Sequence, residues 1–248
     1  MQILRGIFKQ QYLPSMQDNR YCQSIRFLLL LWIFLNMYCD IVMPDKNEKE
    51  FIEVAETLGY KAICFCYNGK IHELKLETDL EVFTSSIGKG KADIQLFKAD
   101  PGLRNVIETK KADVVFDLGL NKQKDSLHYR SSDLNHVTAQ LLAKNNVVLG
   151  IAFNTILSCD GMFRAQVLGR VKQNIMLAKK YGFNIAIFSF ADSQYKMRSP
   201  QDLAAFGISL GLEPKNAKAA VNTLYGLIKD KAKKASGYYI CDGVEVVE

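Results

Sequence analysis

From Met37 onward, short apolar runs alternate with amphipathic stretches of helical period, and the alternation continues to Lys234. This constrains the fold strongly. An apolar run buried on both faces belongs to a parallel sheet, and parallel neighbours need a helical crossover between them. Predicted strands are Tyr38–Val42, Lys61–Cys66, Ile71–Leu76, Glu81–Ser85, Asp93–Phe97, Ala112–Leu118, Val147–Phe153 and Asn184–Ala191. Predicted helices are Glu48–Leu58, Leu103–Thr109, Asp133–Lys144, Phe163–Tyr181 and Gln201–Leu210. Interrupted helices are expected from Glu213-Pro214 to Lys234, and an extended tail after them. Asn145-Asn146 and Gly182 read as helix stops, and Ser199-Pro200 as an N-cap followed by an N1 proline. Two architectures satisfy this pattern, an α/β TIM-like (β/α) barrel and an open doubly wound sheet. The open sheet calls for a glycine-rich phosphate turn after its first strand, which Asp40-Ile41-Val42-Met43-Pro44 does not supply, so the barrel is the preferred expectation.

Residues 37–248 are expected to form one barrel domain. Residues 1–36 stand apart from the pattern. Their apolar run, Phe27–Leu35, is nine residues long, well short of the roughly 20 that cross a bilayer. The preferred reading is a leader that is dispensable or not translated, with synthesis starting at Met37. A packing helix and an export signal are the alternatives. The formal charge is +6, and Arg5, Lys9, Arg20 and Arg26 against Asp18 place +3 of it in the leader. The remaining +3 is no polycation, so any nucleic-acid binding must come from a local patch. Six cysteines occur without a CxxC pair, and Cys64 and Cys66 share one strand face. Buried free thiols and a reducing cytoplasm follow as expectations.

Metal-dependent hydrolysis on a barrel needs several His and carboxylate ligands at strand ends. This chain has three histidines, His72, His128 and His136, and no GxSxG elbow or P-loop. No catalytic residue is assigned, although a metal-dependent phosphoesterase on the same barrel remains the alternative. Weight shifts to binding. Lys98, Arg130, Arg164, Lys196 and Arg198 each follow a predicted strand, and a barrel gathers such positions on one rim. Arg170 and Lys172 lie further along the helix Phe163–Tyr181. Arginine forks suit phosphate, and Tyr129 and Tyr195 stand beside basic residues as candidates for stacking on unpaired bases. The RNA contacts expected are Lys98, Arg130, Arg164, Arg170, Lys196 and Arg198, with Asn135 and His136 organising the adjoining loop. The lysines at 229, 231, 233 and 234 read as a solvated helix face.

RSSDLNHVTAQLLAKNNVVLGIAF from Arg130, RVKQNIMLAKKYGFNIAIFSFA from Arg170 and MRSPQDLAAFGISLGL from Met197 together resemble the ribonuclease P protein component 3 family. That is the archaeal-type counterpart of the eukaryotic thirty-kilodalton subunit. The resemblance covers Ala112–Leu212 and the Met37–Asp40 start. It implies a barrel of the polymerase-and-histidinol-phosphatase-like type without metal ligands. It also implies a subunit of an endoribonuclease whose RNA cleaves precursor tRNA at the 5′ end. Implied partners are the ribonuclease P RNA, a second small protein component and precursor tRNA, with no membrane and a cytoplasmic location. No cofactor is implied on the protein itself, and magnesium is implied on the RNA. The Thr155–Phe163 stretch is poorer in arginine than is usual in that family.

Overall fold

The computed structural model describes residues 37–69, 78–88, 90–121, 124–126, 128–235, 239–241 and 244–245. The predicted leader and the predicted strand Ile71–Leu76 lie outside the described residues. The strands are β1 (Cys39–Val42), β2 (Ala62–Tyr67), β3 (Glu81–Ile87), β4 (Ile94–Lys98), β5 (Val114–Phe116), β6 (Val148–Ala152) and β7 (Ile185–Phe188). All pair in parallel and in chain order, forming one seven-stranded sheet. A parallel bridge between Val42 and Ala191 brings the last strand back to the first, so the sheet closes as a barrel. The helices are α1 (Glu48–Thr57), α2 (Leu103–Glu108), α3 (His136–Asn145), α4 (Phe153–Leu157), α5 (Gly161–Tyr181), α6 (Pro200–Ser209) and α7 (Pro214–Ala235). A short antiparallel pair, β8 (Tyr239–Cys241) and β9 (Val244–Glu245), takes the place of the expected extended tail.

Strand side chains alternate between two cores. Cys39, Ile41, Ala62, Cys64, Ile94, Val114, Phe116, Ala186 and Phe188 fill the barrel, while Val42, Ile63, Phe65, Val115, Leu149 and Ile187 meet the surrounding helices. Small residues recur inside because a barrel of few strands is narrow. Gly150 shows how tight it is: a Cβ there would lie 2.8 Å from the Phe188 ring and 2.9 Å from Val114. Cys39, Cys64, Cys66 and Cys159 are all buried free thiols, as expected from their apolar neighbours.

The seam between β7 and β1 has a second fastening. The fully buried Asp40 carboxylate accepts the Ser189 backbone N–H at 2.7 Å and the Ser189 hydroxyl at 2.5 Å. Beside it, Phe190 N–H donates to the Ile41 carbonyl at 2.9 Å and Met43 N–H to the Ala191 carbonyl at 2.7 Å. Burial outweighs these bonds and pushes the Asp40 carboxyl up from 3.8 to about 7.

Helix α7 closes the other end. Leu224, Tyr225 and Ile228 join the inner core. Lys229 pairs with Glu81 at the start of β3 at 2.5 Å, and Lys231 with Asp113 just before β5 at 2.5 Å. The lysines read as a solvated face therefore include two that hold this helix across the strand starts. The helix is also continuous from Pro214 to Ala235, without the expected interruptions, and buries one apolar face from Ala217 to Ile228.

Elsewhere most boundaries move by a residue or two; β7 stops at Phe188 and α3 starts at His136, each three residues inside the expected limit, and β5 differs most. β5 ladders over only three residues instead of the seven expected, since Asp117 turns the chain at φ 58°. Gly150→Ala is expected to destabilise the protein by about 1–3 kcal/mol through overpacking against Phe188, measured by urea unfolding. A second expectation concerns pH. With its folded pKa above its unfolded one, Asp40 contributes stability below about pH 4 that is lost as pH rises through 7. Asp40→Asn should therefore gain on the native protein between pH 4 and 8; an unaltered stability profile over that range would show that the carboxyl is not desolvated.

Candidate nucleic-acid interface

The carboxyl ends of β4 to β7 carry the predicted cations, and the parallel register places those ends on one rim. The middle of that rim is not an open site. Phe190, held at φ 53° just after β7, lies 4.9 Å from Phe116 and 5.8 Å from Phe188, centroid to centroid. Three aromatic rings thus fill the mouth where a barrel enzyme would place substrate. Among the described residues, no three His, Cys, Asp or Glu side chains come together to hold a metal ion.

The six predicted RNA contacts fall into three different situations. Lys98, at the end of β4, is exposed, with its ammonium 3.7 Å from the buried Asp117 carboxylate. Burial raises the Asp117 pKa, while the Lys98 charge and a Thr155 hydrogen bond oppose that rise. Lys196 is also exposed and pairs with Asp192 at 2.8 Å, one helical turn back. Arg130 is exposed and donates a single bond, at 3.2 Å, to the Gly169 carbonyl. These three present their charge to solvent.

Arg164 and Arg198 are half-buried and donate to backbone carbonyls. Arg164 donates to the Cys159 and Leu157 carbonyls at 2.6 and 2.7 Å, satisfying the exposed end of the short helix α4. Arg198 donates to the Met197 and Tyr195 carbonyls at 2.7 and 3.2 Å and sits 5.7 Å from the Phe153 ring centroid. Its own carbonyl accepts the Tyr60 hydroxyl at 2.7 Å. Arg198 thereby pins the 3-10 turn Gln194–Lys196 against α4 and leaves Tyr195 outside, 84% exposed.

Arg170 departs furthest from expectation. It was read as an RNA contact on the basic helix, yet it is fully buried and presents nothing to a ligand. Its Nε donates to Asp125 Oδ1 at 2.7 Å and its Nη1 to the Gly119 carbonyl. Asp125 Oδ1 also accepts the Ser131 N–H at 2.8 Å, Asp133 accepts the Gly119 N–H at 2.8 Å, and Asn174 donates to the Ser132 carbonyl at 3.2 Å. Ion pairing and hydrogen bonding hold the Asp125 carboxyl below its usual range despite some desolvation. The described parts of the loop between β5 and α3 are thus folded around Arg170, with Arg130 and Tyr129 exposed on its outer side. Gly119, at φ 86°, passes so close that a Cβ would lie 3.1 Å from Arg170.

The loop has one further anchor. Asn135 N-caps α3, accepting the Thr138 N–H at 2.9 Å while Thr138 Oγ1 accepts the Asn135 N–H at 2.9 Å. The helix begins at His136 and not at Asp133, because Asp133 takes φ 61° and Asn135 is extended. His136 is exposed on the first turn and makes no hydrogen bond among the described residues, where Asp125, Asp133 and Asn174 make the loop's bonds.

The family model described as RNase P subunit p30 matches residues 98–236. This chain belongs to that family. Ribonuclease P protein component 3 of Methanosarcina mazei is 37% identical over 119 residues, which are 48% of this chain and 49% of that protein. The chain therefore spans, in that match, about half the length of the relative. The Methanosarcina barkeri protein of the same description is 27% identical over 84% of this chain and 77% of its own length. Among solved structures, a chain from a "cryo-EM structure of archaeal Ribonuclease P with mature tRNA" superposes with a TM-score of 0.64 at 22% identity. The superposition covers 84% of this chain and 98% of that one, and the two share the barrel fold.

Asp125→Ala leaves the Arg170 guanidinium buried without its carboxylate. It is expected to cost up to about 3–5 kcal/mol and to open the 119–133 loop to hydrogen exchange before the rest of the barrel. Exchange at those amides no faster than in the unsubstituted protein would show that the pair does not hold the loop.

Proposed function

We propose that this chain is a noncatalytic protein subunit of ribonuclease P, supporting the RNA subunit in endonucleolytic maturation of precursor tRNA 5′ ends. The observation that carries the reading is a family member whose barrel mouth is filled by Phe116, Phe188 and Phe190 and ringed by exposed cations. Partners in this reading are the ribonuclease P RNA, precursor tRNA and a second small protein component. The reading also assigns the protein to the cytoplasm, which suits its buried free thiols. Among the described residues, no helix is long and apolar enough to cross a membrane.

The mechanism is electrostatic. Phosphates brought together in a compact RNA repel one another, and cations fixed on a rigid protein lower that repulsion. Lys98, Arg130 and Lys196 are the side chains positioned to do this. Their neighbours Asp117 and Asp192 hold the two lysines in place, so less side-chain freedom remains to be lost on binding. Magnesium belongs to the RNA in this account, and the protein lowers the concentration needed for the active RNA fold. No step of the reaction passes through a protein side chain.

Reconstitution with the cognate RNA and partner, with and without this chain, tests the reading by precursor tRNA cleavage. The triple substitution Lys98→Ala, Arg130→Ala and Lys196→Ala should raise the magnesium requirement. It should also reduce the slope of log affinity against log salt by roughly 2. Cleavage and salt dependence identical to those of the unsubstituted particle would overturn the assignment.

A further inference from the structure

Off the plugged axis, between the ends of β1, β2 and β7, lies a cavity of about 550 Å³. Its size is that of a small-molecule site. It is an open cleft whose apolar lining is the half-buried Met43 and Pro44 and the buried Cys66, whose thiol burial pushes up to about 11. The Tyr67 ring forms one wall, and its hydroxyl donates to Glu48 at 3.1 Å, which fixes the ring's orientation. The rim is polar and carries both signs. Asn68 and Asp45 stand exposed on one side, and Lys196, held by Asp192, on the other. Between Asp192 and Lys196 in sequence, the turn projects Tyr195, the most exposed large hydrophobic residue of the described chain at 84%.

We infer that this cavity takes up one unpaired nucleotide of an RNA, the base entering between Met43 and Tyr67 and the phosphate remaining at Lys196. The inference rests on the proposed RNA-binding role and adds a ligand class to one part of the rim. The arrangement discriminates between ligands by geometry. A base stacked in a duplex cannot enter, whereas a splayed base offers a flat face to the Tyr67 ring and the sulfur of Met43. Its polar edge meets a carboxamide at Asn68 and a carboxylate at Asp45, groups that pair with exocyclic amines and ring N–H donors. Tyr195, exposed on the same turn as Lys196, offers a second stacking surface.

The test uses the full chain and three probes: a short single-stranded RNA, a duplex of the same length, and adenosine monophosphate. Tyr195→Ala combined with Asn68→Ala alters two exposed side chains and should leave the fold intact, as thermal unfolding would verify. The expected result is a loss of about tenfold in single-strand affinity, with duplex affinity unchanged. Photo-cross-links from 4-thiouridine in the single strand should also map to Tyr67 or Tyr195. Equal loss for duplex and single strand, or no loss for either, would overturn the nucleotide pocket while leaving the RNA-binding role standing. Failure of the unsubstituted chain to bind either RNA would overturn both. Displacement of the single strand by adenosine monophosphate at matching concentration would identify a free nucleotide as the ligand and overturn RNA as its source.

Discussion

Everything on the rim depends on closing seven parallel strands into a ring. Each of the six internal pairings is secured by its own ladder, but β7 and β1 share a single bridge, Val42 to Ala191. The Asp40 carboxylate supplies the missing connection by accepting two Ser189 donors across the gap. A buried carboxylate is a costly fastener, since desolvation opposes its charge. It fastens β1 to Ser189, the residue before Phe190, whose ring lies against Phe116 and Phe188 in the barrel mouth. The same closure carries Tyr195 and Lys196 round to the end of β1, where they meet residues more than a hundred positions earlier in the chain.

Charge on a helix or loop is a poor guide to what a side chain touches. Of the four arginines singled out near the rim, Arg130 is exposed, Arg164 and Arg198 are half-buried and Arg170 is buried. Arg164 and Arg198 terminate backbone carbonyls, and Arg170 is enclosed completely. A planar fork with five donors suits each of these tasks as well as it suits phosphate. The lysines separate differently. Their single ammonium can pair with one neighbouring carboxylate and still face outward, as at Lys98 and Lys196. At this rim Arg164, Arg170 and Arg198 chiefly shape the surface, and Lys98 and Lys196 chiefly charge it.

The alternation of strands and helices was readable because period and length are local properties. Local, too, were the Ser199 cap with Pro200 after it and the Asn146 and Gly182 stops. The short β5 was less readable: ADVVFDL has the composition of a long buried strand, but only a left-handed Asp117 ends its ladder at Phe116. Arg170 was out of reach for a different reason. Its partner Asp125 is 45 residues away, and nothing in the intervening composition marks the pair. Lys229 and Lys231 are similar, since their carboxylates lie at strand starts far back in the chain. Local chemistry therefore located the rim, and only the assembled barrel decided which of its cations are available.

Helix α7 bears on how the chain reaches this state. It seals the inner core through Leu224, Tyr225 and Ile228 and reaches back 144 residues from Tyr225 to Glu81. Contacts of such sequence separation form late, because the intervening chain must first be ordered. During synthesis the seven strands precede this helix, so the end of the inner core that it covers stays bare until it is made. A chain cut short before Pro214 would thus carry every barrel strand but expose the apolar inner core at the uncapped end, a surface open to chaperone capture or aggregation.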